Sequence, residues 1–550
     1  MASADNQSAN AQPSASGGRL KGFSLVSGLT VLSRLAGLGR DMLMAGLFGT
    51  GWVLDTFTVA FRIPSTFRKL FGDGAMTAAF LPRFVEEDQR SGREAASELF
   101  SAVTRRMAGW LTAIIVFTEC CLLFGLLLFD LSDRSELLIR LTMVLMPYSL
   151  LICVAALHCA ALNGVQHFLV PALLPVVLNL VWLSGGLTAM ACYADDADHV
   201  WIIALSIIAG GVVQLVFSVW KLRQFGVRLR GGVIPDDMQQ RVARLFRQMG
   251  PVLFGLSITQ LNTFVDSLLA WLLAQPPGVL PETLEPLRLA EGTASALYLG
   301  QRMFQFPLGV FGVALGTILF PRFTRHITAD DHRELGRDIL HGLQLVLVVG
   351  IPSSIGLWLV AEPITDLLFR RGAFGAEDAQ LTVRMVGAYG VGVCVFCGLL
   401  IVNRVFYAAN DQMTPARQGV ICVGLNIALN IVLLPILKET ALPVASVLAT
   451  LFQLGLAMQV LRRRYLTGGY GLFVPVLWRS ILAAGLMTGC CMLLQQYSVG
   501  DDSPWARVVR TVMPIAVCVS VYWGCLRCTG LVPKRLLSEP FESGAPSAIT

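Results

Sequence analysis

The chain has 550 residues, 55% of them hydrophobic and 14% charged, with a mean hydropathy of +0.66. Soluble proteins carry about 25% charged residues, so the composition excludes a soluble globular domain and fits an all-α polytopic membrane protein. The formal net charge of +6 is modest and belongs to particular loops. The 13 cysteines, an odd number, sit mostly inside apolar runs and read as small buried residues rather than as a disulfide framework. The CxxC pairs Cys394/Cys397 and Cys525/Cys528 lie in or at the end of apolar helices with no second pair or histidine cluster nearby, which argues against metal or redox chemistry.

Residues 1–22 form a Ser/Ala/Gln/Asn-rich tail expected to be disordered, without the pattern of a cleaved secretory signal. Fourteen apolar runs of roughly span length follow. They lie near 24–47, 52–82, 103–129, 138–162, 169–191, 200–220, 249–274, 293–320, 339–361, 381–409, 415–436, 441–461, 474–496 and 506–528. Their connections alternate in charge. Arg and Lys concentrate at 83–106, 221–247, 322–337, 462–464 and after Arg527, whereas 130–136, 193–198, 275–291 and 500–502 are acidic or neutral. Arg370 and Arg371 are the exception. Positive charge marks the cytoplasmic side, so both termini are expected there, which requires an even number of spans.

The first two runs carry charges that lipid does not tolerate: Arg34, Arg40, Asp41, Asp55, Arg62, Arg68 and Asp73. A central Arg or Asp costs about 2.5–3.5 kcal/mol on insertion scales, so these groups are expected to face a polar cavity or one another. Arg outnumbers acid, which predicts a cationic cavity whose guest is an anion; the planar guanidinium suits phosphate and carboxylate. Arg40 and Asp55 flank the short Gly49–Gly51 link and are expected to pair as a latch on the outward side.

Motifs recur between the two halves. Span 2 ends in Phe80-Leu81-Pro82-Arg83-Phe84 and span 8 in Leu319-Phe320-Pro321-Arg322-Phe323. Asp41-x-Leu43-x-Ala45-x-Leu47 in span 1 matches Asp266-x-Leu268-x-Ala270-x-Leu272 in span 7. Pro171-Ala172 precedes Leu178-Asn179 in span 5, and Pro415-Ala416 precedes Leu425-Asn426 in span 11. The pattern predicts two six-helix lobes in a parallel pseudo-repeat, residues 23–222 and 249–465, joined by a basic cytoplasmic linker at 223–248. Two further helices at 466–530 fall outside the repeat, and 531–550 is a cytoplasmic tail. An enzyme is disfavoured because the histidines are scattered and none is paired with a nearby Ser or Cys motif. No GxxxxGKS loop is present to make ATP the direct energy source.

SRLAGLGRD at 33–41, the D-x-F-x-VAFRIPSTFR stretch from Asp55, FPLGVFGVALGTILFPR at 306–322, LLFRRGAFGAEDA at 367–379 and RVFYAANDQMTP at 404–415 resemble the MurJ (MviN) family. Its members flip the lipid-linked peptidoglycan precursor lipid II and belong to the superfamily of multidrug and oligosaccharide-lipid exporters. The resemblance runs from about Phe23 to the last span. It implies a transporter rather than an enzyme, placed in the bacterial inner membrane, with lipid II and membrane lipids as partners, cell-wall synthesis proteins as further candidates, and no nucleic acid. It implies substrate-binding roles for Ser33, Arg34, Arg40, Asp55, Arg62, Ser65, Arg68, Asp73 and Arg302. Gln301 and Gln305 stand where some members have acids, making this part of the cavity more cationic. It implies a groove for the polyprenyl tail along spans 13 and 14. No cofactor is expected beyond a coupling ion. Na⁺ or the membrane potential is the candidate driving force, with a Na⁺ site formed by Asp266, Asn426, Asn430 and Ser446. A flippase for another polyprenyl-pyrophosphate-linked glycan and a multidrug exporter of the same superfamily remain the alternatives.

Overall fold

A computed structural model describes residues 16–192, 196–231, 235–466, 473–496 and 504–529, apart from the side chains of 16–24, 72–78, 196–197, 251–252 and 504. Every regular element among them is helical. Ten helices are long and apolar enough to cross a membrane, or eleven if a pair bent by 45° counts as one span. That pair is Ala376–Val391 and Val393–Ala408.

The first helices are α1 (Ser16–Phe48), α2 (Trp52–Phe67), α3 (Met76–Leu128), α4 (Asp133–Gly164), α5 (Leu169–Cys192) and α6 (Asp196–Gln224). Then come α7 (Asp236–Leu273), α8 (Thr293–Pro307), α9 (Ala314–Thr328), α10 (His332–Leu359), α11 (Ala361–Leu368), α12 (Ala376–Val391) and α13 (Val393–Ala408). The last are α14 (Met413–Leu437), α15 (Ala441–Arg464), α16 (Phe473–Gln496) and α17 (Pro504–Cys528).

The repeat read from the sequence has a counterpart in local geometry. Pro64 in α2 is followed by a π-helical stretch at Arg68–Ala75, and Pro307 at the end of α8 by another at Leu308–Val313. Proline removes an intrahelical donor and crowds the preceding turn, and a π-bulge absorbs the misfit. The α3 helix is interrupted at Gly92, whose φ of 83° is left-handed and open to glycine without penalty.

The chain divides into two compact units. One comprises residues up to Leu43, Pro64–Leu131 and Ile139–Met249. The other comprises Met44–Ile63, Ser132–Leu138 and everything from Gly250. In the first, Phe80, Phe84, Phe100 and His158 form a buried aromatic row with centroid separations of 5.4, 6.3 and 5.3 Å. His158 is hydrogen-bonded to Ser218 at 2.9 Å. In the second, α10, α16 and α17 close over Val348, Met487, Cys491, Cys518 and Leu526. The Tyr522 hydroxyl donates to the Val348 carbonyl at 2.7 Å, giving its polar end a partner inside this apolar cluster.

Candidate functional site

In the second unit, α7, α14 and α15 bring together the four residues expected to form an ion site. Asp266 accepts from the Asn430 amide at 2.9 Å and from the Ser446 hydroxyl at 2.7 Å. Asn430 also donates to the Asn426 carbonyl oxygen at 3.1 Å, and Asn426 lies 3.1 Å from the Ser446 hydroxyl. Turning the Asn426 amide over lets its nitrogen donate to Asn262 and Asp266 and its oxygen accept from Ser446. Asp266, Asn426 and Asn430 are fully buried or nearly so. Asn426 and Asn430 are one turn apart on α14, which is why both amides reach the same carboxylate. The Asn430 Oδ1 atom is buried without a hydrogen-bond partner among the described residues. A buried acceptor left over beside a carboxylate, a second amide and a hydroxyl is a donor set suited to a hard cation.

Arg62, also in this unit, reaches the turn of α7 that precedes Asp266. Its guanidinium donates to the Thr263 carbonyl at 3.4 Å and to Gln301 Oε1 at 3.3 Å from each terminal nitrogen. Gln301 in turn donates to the Tyr389 hydroxyl at 3.0 Å. The amide that replaces an acid in span 8 therefore serves as a neutral acceptor for Arg62. Arg302 is half-buried, and its Nε donates to the Tyr298 hydroxyl at 3.1 Å.

Asp55 caps a helix. Its two oxygens accept from the Gly292 backbone at 2.9 Å and from the Ser295 backbone and hydroxyl at 2.7 Å each, all at the start of α8. An acid at this end satisfies orphan N–H groups and complements the helix dipole. The same turn of chain is held elsewhere. Ala373 donates to the Gly46 carbonyl at 2.8 Å, Trp52 donates its backbone N–H to Glu291 at 3.1 Å, and Trp271 donates to Thr56 at 3.0 Å. Asp378 accepts from the Thr50 backbone at 3.2 Å and from its hydroxyl.

The first unit holds Ser33, Arg34, Arg40, Ser65 and Arg68. Arg34 is exposed, while Ser33, Ser65 and Arg68 are half-buried. The side chain of Asp73 lies outside the described residues. Arg40 is buried and held inside its own unit. Its Nε and Nη2 donate to Asp41 Oδ1 at 3.1 and 2.7 Å, and Nη1 donates to Asn179 Oδ1 at 3.2 Å. Its guanidinium carbon stands 4.3 Å from the Trp182 ring centroid. Of the two residues expected to form the latch, each has partners within its own unit: Arg40 pairs with its neighbour Asp41, and Asp55 with the first turn of α8. Helical spacing could not show this, because i and i+1 side chains diverge unless a long arginine folds back. Asn179 had a signal in the repeat motif. Trp182, Ser295 and Tyr389 had none.

Residues 44–505 match the family model for the lipid II flippase MurJ. The chain belongs to the MurJ family. A probable lipid II flippase MurJ of Rhizobium tropici is 31% identical over 438 residues, covering 78% of each chain. A lipid II flippase MurJ of Burkholderia cenocepacia is 27% identical over 522 residues, covering 92% of this chain and 96% of its own. A solved lipid II flippase MurJ in an inward closed conformation superposes with a TM-score of 0.73 at 20% identity, over 93% of this chain and 99% of that one. An inward-facing multidrug transporter of the MATE family gives 0.62 at 10% identity, over 80% and 97%. At such identities the two structures bear on the fold alone. They place the chain in a MurJ-like fold, and its apolar helices are those of an integral membrane protein.

Proposed function

We propose that this chain moves lipid II from the cytoplasmic to the outer leaflet of the bacterial inner membrane by alternating access to a cationic cavity. The observation that carries the reading is family membership over 44–505, which includes most of the charged first hairpin. The full architecture would be fourteen spans, two six-helix lobes in parallel pseudo-repeat and two added helices, with both termini cytoplasmic, as the loop charges favour. Arg34, Arg40, Arg68 and Arg302 are the arginines we assign to the pyrophosphate and the sugar–peptide head. A guanidinium offers two parallel donors to such an anion, which a lysine does not.

Asp266, Asn426, Asn430 and Ser446 are the residues we assign to a coupling Na⁺. When bound, the ion supplies a positive charge that compensates the buried Asp266 carboxylate. The chain's own part is to keep four oxygens convergent from three helices and to exclude lipid from them. Such a site biases a conformational equilibrium only if its affinity differs between the two states.

The deciding experiment is flipping of fluorescent lipid II in proteoliposomes, with and without a Na⁺ gradient. Movement of lipid II that depends on the protein is the expected result. Movement of another polyprenyl-pyrophosphate glycan but not of lipid II overturns the substrate assignment. Equal rates with and without the gradient overturn the ion assignment.

A further inference from the structure

Tyr389 is buried on α12, in the second unit. Its ring stacks on Phe304 with centroids 5.0 Å apart, and Phe396 stacks on the same ring at 4.9 Å. Tyr389 and Phe396 stand on either side of the 45° bend between α12 and α13, so Phe304 of α8 is gripped by both limbs. Gly300 admits the close approach of the helices: a Cβ there would lie 2.9 Å from the Cβ of Met385, one turn before Tyr389. Gln301 and Phe304 are three residues apart on α8 and share a face. The contact that holds the tyrosine ring therefore also brings its hydroxyl to the Gln301 amide nitrogen, 3.0 Å away.

Hydrogen bonding leaves this hydroxyl a defined role. A guanidinium has only donors, and both terminal nitrogens of Arg62 are turned to Gln301 Oε1 at 3.3 Å. The buried amide nitrogen points the other way and needs an acceptor. A phenol oxygen accepts as well as donates, whereas a phenylalanine in its place would leave the nitrogen unmet. With that bond made, the amide keeps its oxygen towards Arg62. The acceptor is neutral, so the arginine is held in place with its charge uncancelled and available to an anion.

We infer that Tyr389 is a positioning residue for the head of the transported lipid: it fixes the Gln301 amide, and through it the Arg62 guanidinium, without touching the substrate. The inference rests on the reading of the chain as a lipid II transporter and of Arg62 as one of its head-binding residues. The test is a double-mutant cycle in the full chain in detergent, with lipid II as the probe. Tyr389→Phe keeps the ring and its stacking and removes only the hydroxyl. It is expected to raise the Kd for lipid II about tenfold, the factor equivalent to one hydrogen bond to a charged group. Gln301→Leu removes the amide, and in that background Tyr389→Phe is expected to change the Kd by no more than about twofold. Binding is read well below the melting temperature, so that loss of folded protein does not imitate loss of affinity. Melting temperature is read on the same set of proteins. Tyr389→Phe is expected to lower it when Gln301 is present and to leave it level or raise it beside Gln301→Leu, because the hydroxyl has then lost its own partner. Gln301→Met takes the place of Gln301→Leu if the leucine variant does not fold. An unchanged Kd in Tyr389→Phe overturns the inference. So does an equal loss of affinity in both backgrounds, which assigns the tyrosine a role that does not pass through Gln301. A wild type that binds no lipid II overturns the transport reading instead, and the melting cycle then decides whether Tyr389 holds Gln301.

Discussion

Asp55 and Ser295 are joined twice, the backbone N–H and the hydroxyl of Ser295 both donating to one carboxylate oxygen at 2.7 Å. Together with the bond from Gly292, this fixes the N-terminal part of α2 to the first turn of α8. Loss of a cap costs about 0.5–2 kcal/mol, and each buried donor left unmet about 1–3. Asp55→Ala is therefore expected to lower the melting temperature by several degrees. Asp55→Asn, which keeps an acceptor oxygen, is expected to lose much less. Equal losses would show that the charge, not the hydrogen bonds, holds the junction.

Gly292 sits beside that cap with φ at +84°, and a Cβ there would run into the Thr50 carbonyl. The left-handed conformation alone costs a non-glycine residue about 1–2 kcal/mol, and Thr50 is backbone that cannot turn aside. Gly292→Ala is expected to destabilise by more than about 2 kcal/mol and to separate α8 from the hairpin turn. Thermal unfolding of the variant beside the wild type checks this. Unchanged melting would mean that the turn has room to move.

Gln301 is the acceptor for both terminal nitrogens of Arg62. Hydrogen bonds to charged groups contribute about 1.5–3 kcal/mol. Gln301→Leu is expected to destabilise by roughly that amount, while Gln301→Glu gives Arg62 an ion pair and is expected to retain the fold. Thermal unfolding of the two variants side by side checks the order.

Asn430 supplies the unpartnered oxygen at Asp266. Asn430→Ala is expected to reduce the Na⁺-specific stabilisation of the wild type, which for a ligand at 100 times its Kd is about 2.7 kcal/mol. A full Na⁺ response in Asn430→Ala would remove this oxygen from the ion's ligands.

Asp411, between α13 and α14, titrates in a predictable direction. Burial by itself raises its carboxyl, but bonds from the Thr414 hydroxyl and backbone and from Arg464 outweigh burial and hold it below the usual range. Thr414 approaches at 2.7 and 3.0 Å and Arg464 at 2.7 Å. A depressed carboxyl stabilises the fold above its unfolded pKa of about 3.9 and ceases to do so as pH falls through the folded value. Asp411→Asn is expected to melt lower than wild type at pH 7, with the gap closing below about pH 4. A gap that persists in acid would assign the loss to packing.

Much of this molecule follows from the sequence alone, for reasons of solvent and spacing. Long apolar runs in lipid have only the helix to satisfy their backbone, so the all-helical fold was fixed by composition. The recurrence of Asp41 and Asp266, and of Asn179 and Asn426, is visible because internal repeats preserve residue types at corresponding places. The gathering of Asp266, Asn426, Asn430 and Ser446 was expected from the family resemblance, and the i, i+4 spacing on α14 supports it. Tertiary structure decided which partner each charge takes. Arg40, Asp41 and Asp55 look equivalent in the string, yet a guanidinium folded back on its neighbour and a carboxylate capping α8 are outcomes of three-dimensional proximity. Gly292 lies 237 positions from Asp55. No local pattern encodes that distance, and only the packing of α2 against the start of α8 brings the acid to its donors.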